Sequence, residues 1–428
     1  MKRILLLAGL WAAAAQAAPV SDNAAFFYWK AIGLLRPART PGQLELLRFV
    51  DEELPLLPPR ILEARPSVLN WLLSEQPVRE ALAQASACAE CDFGVRSPGG
   101  PFLDVAHLPR LTLLCRRVCA MAQALDFASR EAEAAQAYVA LLDMIRRVEA
   151  EKNAVSGLAA AEMTQAVIES VEGFLVGEPG SEALAALTNG FGGAAGPSFD
   201  SAAWLRDEAD RWSAWVRQDP VGAIERMRNR LGAGPLAPAV ERAAAAASAE
   251  DASVFEGWLS GYRARMEELA RAMEQRFREG APILLRLDAE RMESLKVPDA
   301  AANPLILLLV PPAAEMDQRC RLARAQWDMA ALLYAAAARR AREGRWPERP
   351  PGRRVPRDPF SGERLSYRLA RGQPVVGVRI PKAMAETGRY LYLLDLAGRA
   401  RRDEERFGEA IARARELEFG ELFEPAAP

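Results

Sequence analysis

Four of the five cysteines, the single histidine and a run of arginines are the residues whose types and spacing could do chemistry. Cys88, Cys91, Cys115 and Cys119 fall within 32 residues. In an exported chain they meet an oxidising compartment, which favours covalent pairing over retained thiols. The expectation is two disulfides joining Cys88 and Cys91 to Cys115 and Cys119, with Cys320 a buried free thiol. Spacing leaves the connectivity open, and a bridge between Cys88 and Cys91 competes. The same four thiolates could hold zinc. A redox CxxC would want the amino end of a helix in a thioredoxin-like setting, whereas Gly94, Pro98, Gly99 and Gly100 make the segment after Cys91 a loop.

The lone histidine, His107, excludes multi-histidine metal sites and leaves any Ser-His-Asp or Cys-His mechanism resting on one residue. Just before the helix start at Leu108-Pro109, it serves equally well for capping or packing. The 57 acidic residues permit two-carboxylate hydrolysis of the glycosidase kind, but no pair stands out. Gly190 to Ala195 fits a loose dinucleotide fingerprint without the required strand before and helix after, so a flexible segment is expected. Asp92-Phe93-Gly94 resembles the kinase metal-binding tripeptide, but its companion motifs are missing. Arg339, Arg340, Arg342, Arg345 and Trp346 form an anion-binding candidate; the competing reading is a solvated helix end. Phe26-Phe27-Tyr28-Trp29 reads as the packing face of a first helix, with carbohydrate stacking as its rival.

Helical periodicity must supply the frame that positions these groups. Thr40-Pro41 opens a helix through about Glu53, and prolines 55, 58, 59, 66 and 77 cut the next stretch into short helices. A helix from Leu108 carries Leu111, Cys115, Val118, Ala122 and Leu125 on one face. Partners follow at about 130–151 and 154–175, stacked as antiparallel hairpins. A Gly-rich hinge is expected over 177–198. A second helical region then covers 199–344, with a long helix from about Ala252 that Gly280 is placed to end and another from about Ala314 to Glu343. After Gly344, prolines end the helical pattern. Runs at 365–369, 375–380 and 390–394 suggest a small antiparallel meander, followed by a last helix over about 402–419. The fold class is therefore mainly α, an irregular bundle or array of helical hairpins with a C-terminal β-meander. The regions are 1–17, 18–176, 177–198, 199–344 and 345–428.

Met1-Lys2-Arg3, the apolar run Ile4 to Ala15 and Ala15-Gln16-Ala17 form a signal-peptide pattern with cleavage expected after Ala17. Loss of Lys2 and Arg3 moves the formal charge from -2 to -4, which marks no nucleic-acid binder. Only five of the 55 basic residues are lysine, a skew running through the whole chain that weakens any single arginine as evidence for phosphate recognition. No later stretch is apolar for the roughly 20 residues a membrane span needs.

Cys91-Asp92-Phe93-Gly94 with His107-Leu108-Pro109, Asn303-Pro304-Leu305 to Pro311, and Gly344-Arg345-Trp346-Pro347 to Asp358-Pro359-Phe360-Ser361-Gly362 resemble an uncharacterised family of large, mostly helical exported bacterial proteins. The resemblance brings no activity with it. The Gly-x-x-Pro to Asp-Pro-Phe-Ser-Gly tail is also similar to the segment after the long helix of type II secretion pseudopilins. Here that helix lies near the carboxyl end and no prepilin leader precedes it. Physically, Asp358, Pro359, Phe360 and Gly362 suit a turn that starts the first strand.

The sequence thus suggests a periplasmic or secreted helical scaffold that binds an envelope protein or anionic polymer, without a cofactor. A carboxylate hydrolase with a cleft between helical halves is the first alternative. A thiol-disulfide protein using Cys88 and Cys91 is the second.

Overall fold

The computed structural model describes residues 22–94, 105–192, 196–231, 237–248, 252–296, 303–351, 355–378 and 393–395. The expected leader, the Pro98-Gly99-Gly100 breaker and the last helix lie outside these residues. Among them the chain is largely helical and no helix is long and apolar enough to cross a membrane.

Helix α1 (Ala24–Leu34) buries Phe27 and Tyr28 against α4 (Gln76–Ala87). Thr40 and Gln43 close a reciprocal capping box on α2 (Pro41–Arg48), satisfying amide donors that a helix start leaves orphaned. The helical path continues past Arg48 in a widened turn, Phe49–Glu53, and then a tightened one, Leu54–Leu56. After the tight turn Pro59–Ala64, α3 (Pro66–Ser74) begins on proline, as a first helical position allows.

The centre of the fold is built from α5 (His107–Phe127), α6 (Glu131–Glu149) and α7 (Ala154–Val176), which pack pairwise as consecutive hairpins. The expected face of Leu111, Cys115, Val118, Ala122 and Leu125 is fully buried, as are Tyr138, Leu141, Leu142 and Ile145 opposite it. Each large aliphatic side chain so buried contributes roughly 1.5–3 kcal/mol.

The Gly-rich stretch contains a helix, α8 (Ser181–Gly192), seated on α6 and on the long α15 (Ala313–Glu343). Its glycines serve close approach: a Cβ at Gly190 would lie 3.0 Å from Val139 Cγ2, and one at Gly196 would strike the Trp327 indole. Helices α9 (Ser201–Gln218), α10 (Pro220–Leu231), α11 (Ala237–Ser248), α12 (Ala252–Glu274), α13 (Phe277–Lys296) and α14 (Pro304–Leu309) complete the array. The helix expected to end at Gly280 stops earlier, at Glu274. Gly280 instead lies inside α13, where any side chain would meet the Ala272 carbonyl. From α13, Asp288 accepts from the Ala313 and Ala314 amides at 3.1 and 2.9 Å and so caps α15, whose other end is Gly344 in the left-handed conformation.

Strands β1 (Ser366–Ala370), β2 (Gln373–Gly377) and β3 (Leu393–Asp395) form an antiparallel sheet in sequence order. Arg371-Gly372 makes the tight turn, both residues having positive φ. Asp358 organises the turn before it, its carboxylate accepting from Phe360 N at 2.9 Å and from the Ser361 hydroxyl at 2.6 Å. Phe360 is buried edge-on to Phe277.

Candidate partner-binding groove

The disulfide expectation is overturned: none of the five cysteines is joined in a disulfide. Cys115 and Cys119 turn inward toward α7, with Cys115 Sγ 3.9 Å from the Met163 carbonyl oxygen. They are small core residues hydrogen-bonded to each other, and burial pushes the Cys115 thiol up as well. Cys88 closes α4, its Sγ donating to Gln84 O at 3.3 Å. Cys91 lies beside Arg147 and Tyr28. The loop pair thus sits against α1 and α6 while the helix pair faces α7. Burial pushes the Cys91 thiol up to about 11, the wrong direction for a redox nucleophile. Among the described residues no group of three or more His, Cys, Asp or Glu could hold a metal.

His107 is buried and its Nε2 lies 2.9 Å from Glu151 Oε1. The other Glu151 oxygen accepts from the Ser156 hydroxyl. The acid stands between histidine and serine, so the imidazole has no contact with the hydroxyl it would have to deprotonate. Phe93 stacks on His107 at 4.5 Å and on Tyr28 at 6.0 Å. Asp92 Oδ1 accepts from Gly94 N at 2.7 Å, Gly94 having φ 71°. The Asp-Phe-Gly tripeptide is therefore a side-chain-closed turn that plugs an aromatic between α1 and α5.

A second polar cluster lies deeper. Arg117 donates to Asp51 through Nε at 2.5 Å and Nη2 at 2.9 Å, and its guanidinium lies over Trp71 at 4.7 Å. Burial raises the carboxyls of Asp51 and Glu75 against the pull of Arg117. These acids are core struts.

The arginine patch is partly self-neutralised. Arg339 pairs with Glu343 at 2.8 Å, and Arg340 pairs with Glu178 at 2.9 Å while covering Trp346 at 4.8 Å. Arg342 and Arg345 are exposed.

A groove of about 760 Å³ lies between α4, α6 and α8, a feature that residue spacing had not indicated. Its floor carries Leu82, Ala83, Ala137, Val139, Ala140 and Ala186. Arg79, paired with Glu133 at 3.2 Å, stands at one end and Arg146, paired with Asp143 at 2.8 Å, at the other. From Glu133 to Arg146 the helical rise makes the groove roughly 20 Å long. The Arg79 side chain is only 10% exposed, and its Nε and Nη2 have no acceptor among the described residues. Ser86 Oγ and Arg146 Nε are likewise without one. No aromatic lines the groove; of its acids, Glu133 and Asp143 are paired with arginines and Glu80 accepts from Gln76 Nε2 at 2.7 Å.

Asp126, at the end of α5, is pushed up to about 7 by burial and by the nearby Glu131 charge. Below pH about 4 it is protonated both folded and unfolded. As pH rises, the unfolded chain releases the proton first, so stability falls between about pH 4 and 7 and stays lower above. Asp126→Asn is expected to raise the unfolding free energy at pH 8 by roughly 1–3 kcal/mol and to give no gain at pH 4, as measured by urea titration.

No protein-family model, curated protein or solved structure matches this chain.

Proposed function

We propose that this chain is an exported helical scaffold, freed of its leader after Ala17, that seats an extended segment of a partner protein of the cell envelope in the groove between α4, α6 and α8. The observation carrying this reading is the groove's chemistry: an alanine-rich apolar floor with the guanidinium groups of Arg79 and Arg146 toward its ends. An extended peptide supplies carbonyl and carboxylate acceptors alternating with apolar side chains. Small floor residues let its backbone approach closely. The resemblance to large exported helical proteins accords with the compartment.

A photo-reactive residue at Ala83, Gln136 or Ala186 is expected to capture one and the same protein in the envelope. The same probe at Gln165, exposed on α7 away from the groove, should capture none. The recovered chain should begin at Ala18. Absence of a groove-specific adduct would reject the scaffold reading, and an intact leader would reject the export reading.

A further inference from the structure

We infer that the face shared by α1 and the first turns of α5 is a contact surface for an anionic lipid bilayer. On α1, Phe26 is 57% exposed and Trp29 38%, one helical turn apart. On α5, Leu113 is 44% exposed, and Arg110, one turn before it, lies over the Trp29 ring at 5.7 Å. The cation–π contact joins the two helices into one continuous patch. The helical spacing buries Phe27 and Tyr28 on one side of α1 and leaves Phe26 and Trp29 on the other, so packing accounts for only half of the aromatic run.

The charge carried by the two helices themselves is positive here, the exposed Asp22 lying outside them, four residues before Phe26. Lys30 and Arg110 are exposed beside them, and neither α1 nor the stretch of α5 from His107 to Leu125 contains an aspartate or glutamate. The acids that α5 engages are Glu151, held by His107 on its buried side, and Glu52 and Glu162, paired with Arg116 further along. Tryptophan and phenylalanine flanked by Lys and Arg match the headgroup region, where an apolar ring body is buried and cations meet lipid phosphate.

The position in the chain points the same way. Only six residues separate Ala17 from Ala24, where α1 begins, so the apolar segment before Ala17 ends within about 25 Å of the patch even when fully extended.

The test is flotation of the chain from Ala18, which contains every residue of the described fold, with vesicles of phosphatidylglycerol and phosphatidylcholine in equal parts, against phosphatidylcholine alone. Binding to the anionic vesicles is expected to exceed binding to neutral ones by at least tenfold and to weaken as salt rises. Phe26→Ser/Trp29→Ser should lower the bound fraction at least fivefold. Arg110→Gln/Lys30→Gln should lower it by about fivefold per charge while keeping the aromatics. All four side chains are exposed or at the surface, so an unchanged helical spectrum is expected of both variants. Absence of anionic-vesicle binding would overturn the inference. So would equal binding by the Phe26/Trp29 variant, or a patch-dependent dimer that ignores vesicles.

Discussion

Arg117→Met is expected to lower the unfolding free energy by about 3–5 kcal/mol, because it strands the Asp51 carboxylate in the core. Asp51 is 5% exposed and Arg117 2% exposed, and the guanidinium supplies both of the carboxylate's charge-assisted bonds. It also ties the widened turn at Phe49–Glu53 to the middle of α5 and fills the space over Trp71. Removing one partner leaves the other to be neutralised or hydrated at a site built for neither. The double variant Asp51→Leu/Arg117→Met tests the cause, since replacing a buried pair by apolar groups of similar size is often close to neutral. Urea titration should show the double variant recovering at least half of the single variant's loss. Equal losses would mean that Arg117 acts through packing on Trp71 alone.

The buried arginine also marks where the sequence stops being legible. The face of α5 was readable because Leu111, Cys115, Val118, Ala122 and Leu125 recur at helical spacing, and burial follows from that periodicity. Arg117 sits among them on the same helix, and only the position of Asp51, 66 residues away, shows that it is a core strut rather than a surface cation. The cap at Thr40, the helix end at Glu343 and the Asp358 turn were legible for the opposite reason, each being set by residues a few positions apart.

The cysteine cluster shows the limit of spacing in another way. Two residues at i and i+4 do share a helix face, but which way the face turns is settled by long-range packing. Here it turns toward Met163 on α7 and away from the loop at Cys88 and Cys91. The groove between α4, α6 and α8 is still less visible in one dimension, because its floor is mostly alanine and the residues lining it are scattered from Gln76 to Gly190. Alanines in a helical pattern look alike whether they line a groove or a core.

The glycines of the Gly-rich stretch were expected to bend the chain, and some of them instead let helices meet. The same principle makes Gly157 the sharpest single-site test of how the later helices dock on the central hairpins. Gly157 lies in the first turn of α7, where the Asn153 side chain accepts from Ser156 N at 2.8 Å and Glu208, reaching from α9, accepts from Ala154 N at 2.8 Å. One turn before Glu208, Trp204 presses its ring onto Gly157, so that a Cβ there would overlap the indole at Cζ3 and Cη2. In an isolated helix, alanine would be better than glycine by roughly 0.8–1 kcal/mol. Here Trp204 is 2% exposed and rigid, so it cannot step aside without moving α9. Overpacking of this kind costs about 1–3 kcal/mol beyond the propensity gain, and Gly157→Ala should therefore be destabilised by that order. Adding Trp204→Leu removes the ring that the methyl strikes and should return part of the loss, so the two substitutions are non-additive in unfolding measurements. A Gly157→Ala chain as stable as the native one, or more so, would mean that α9 does not rest on α7 through this contact.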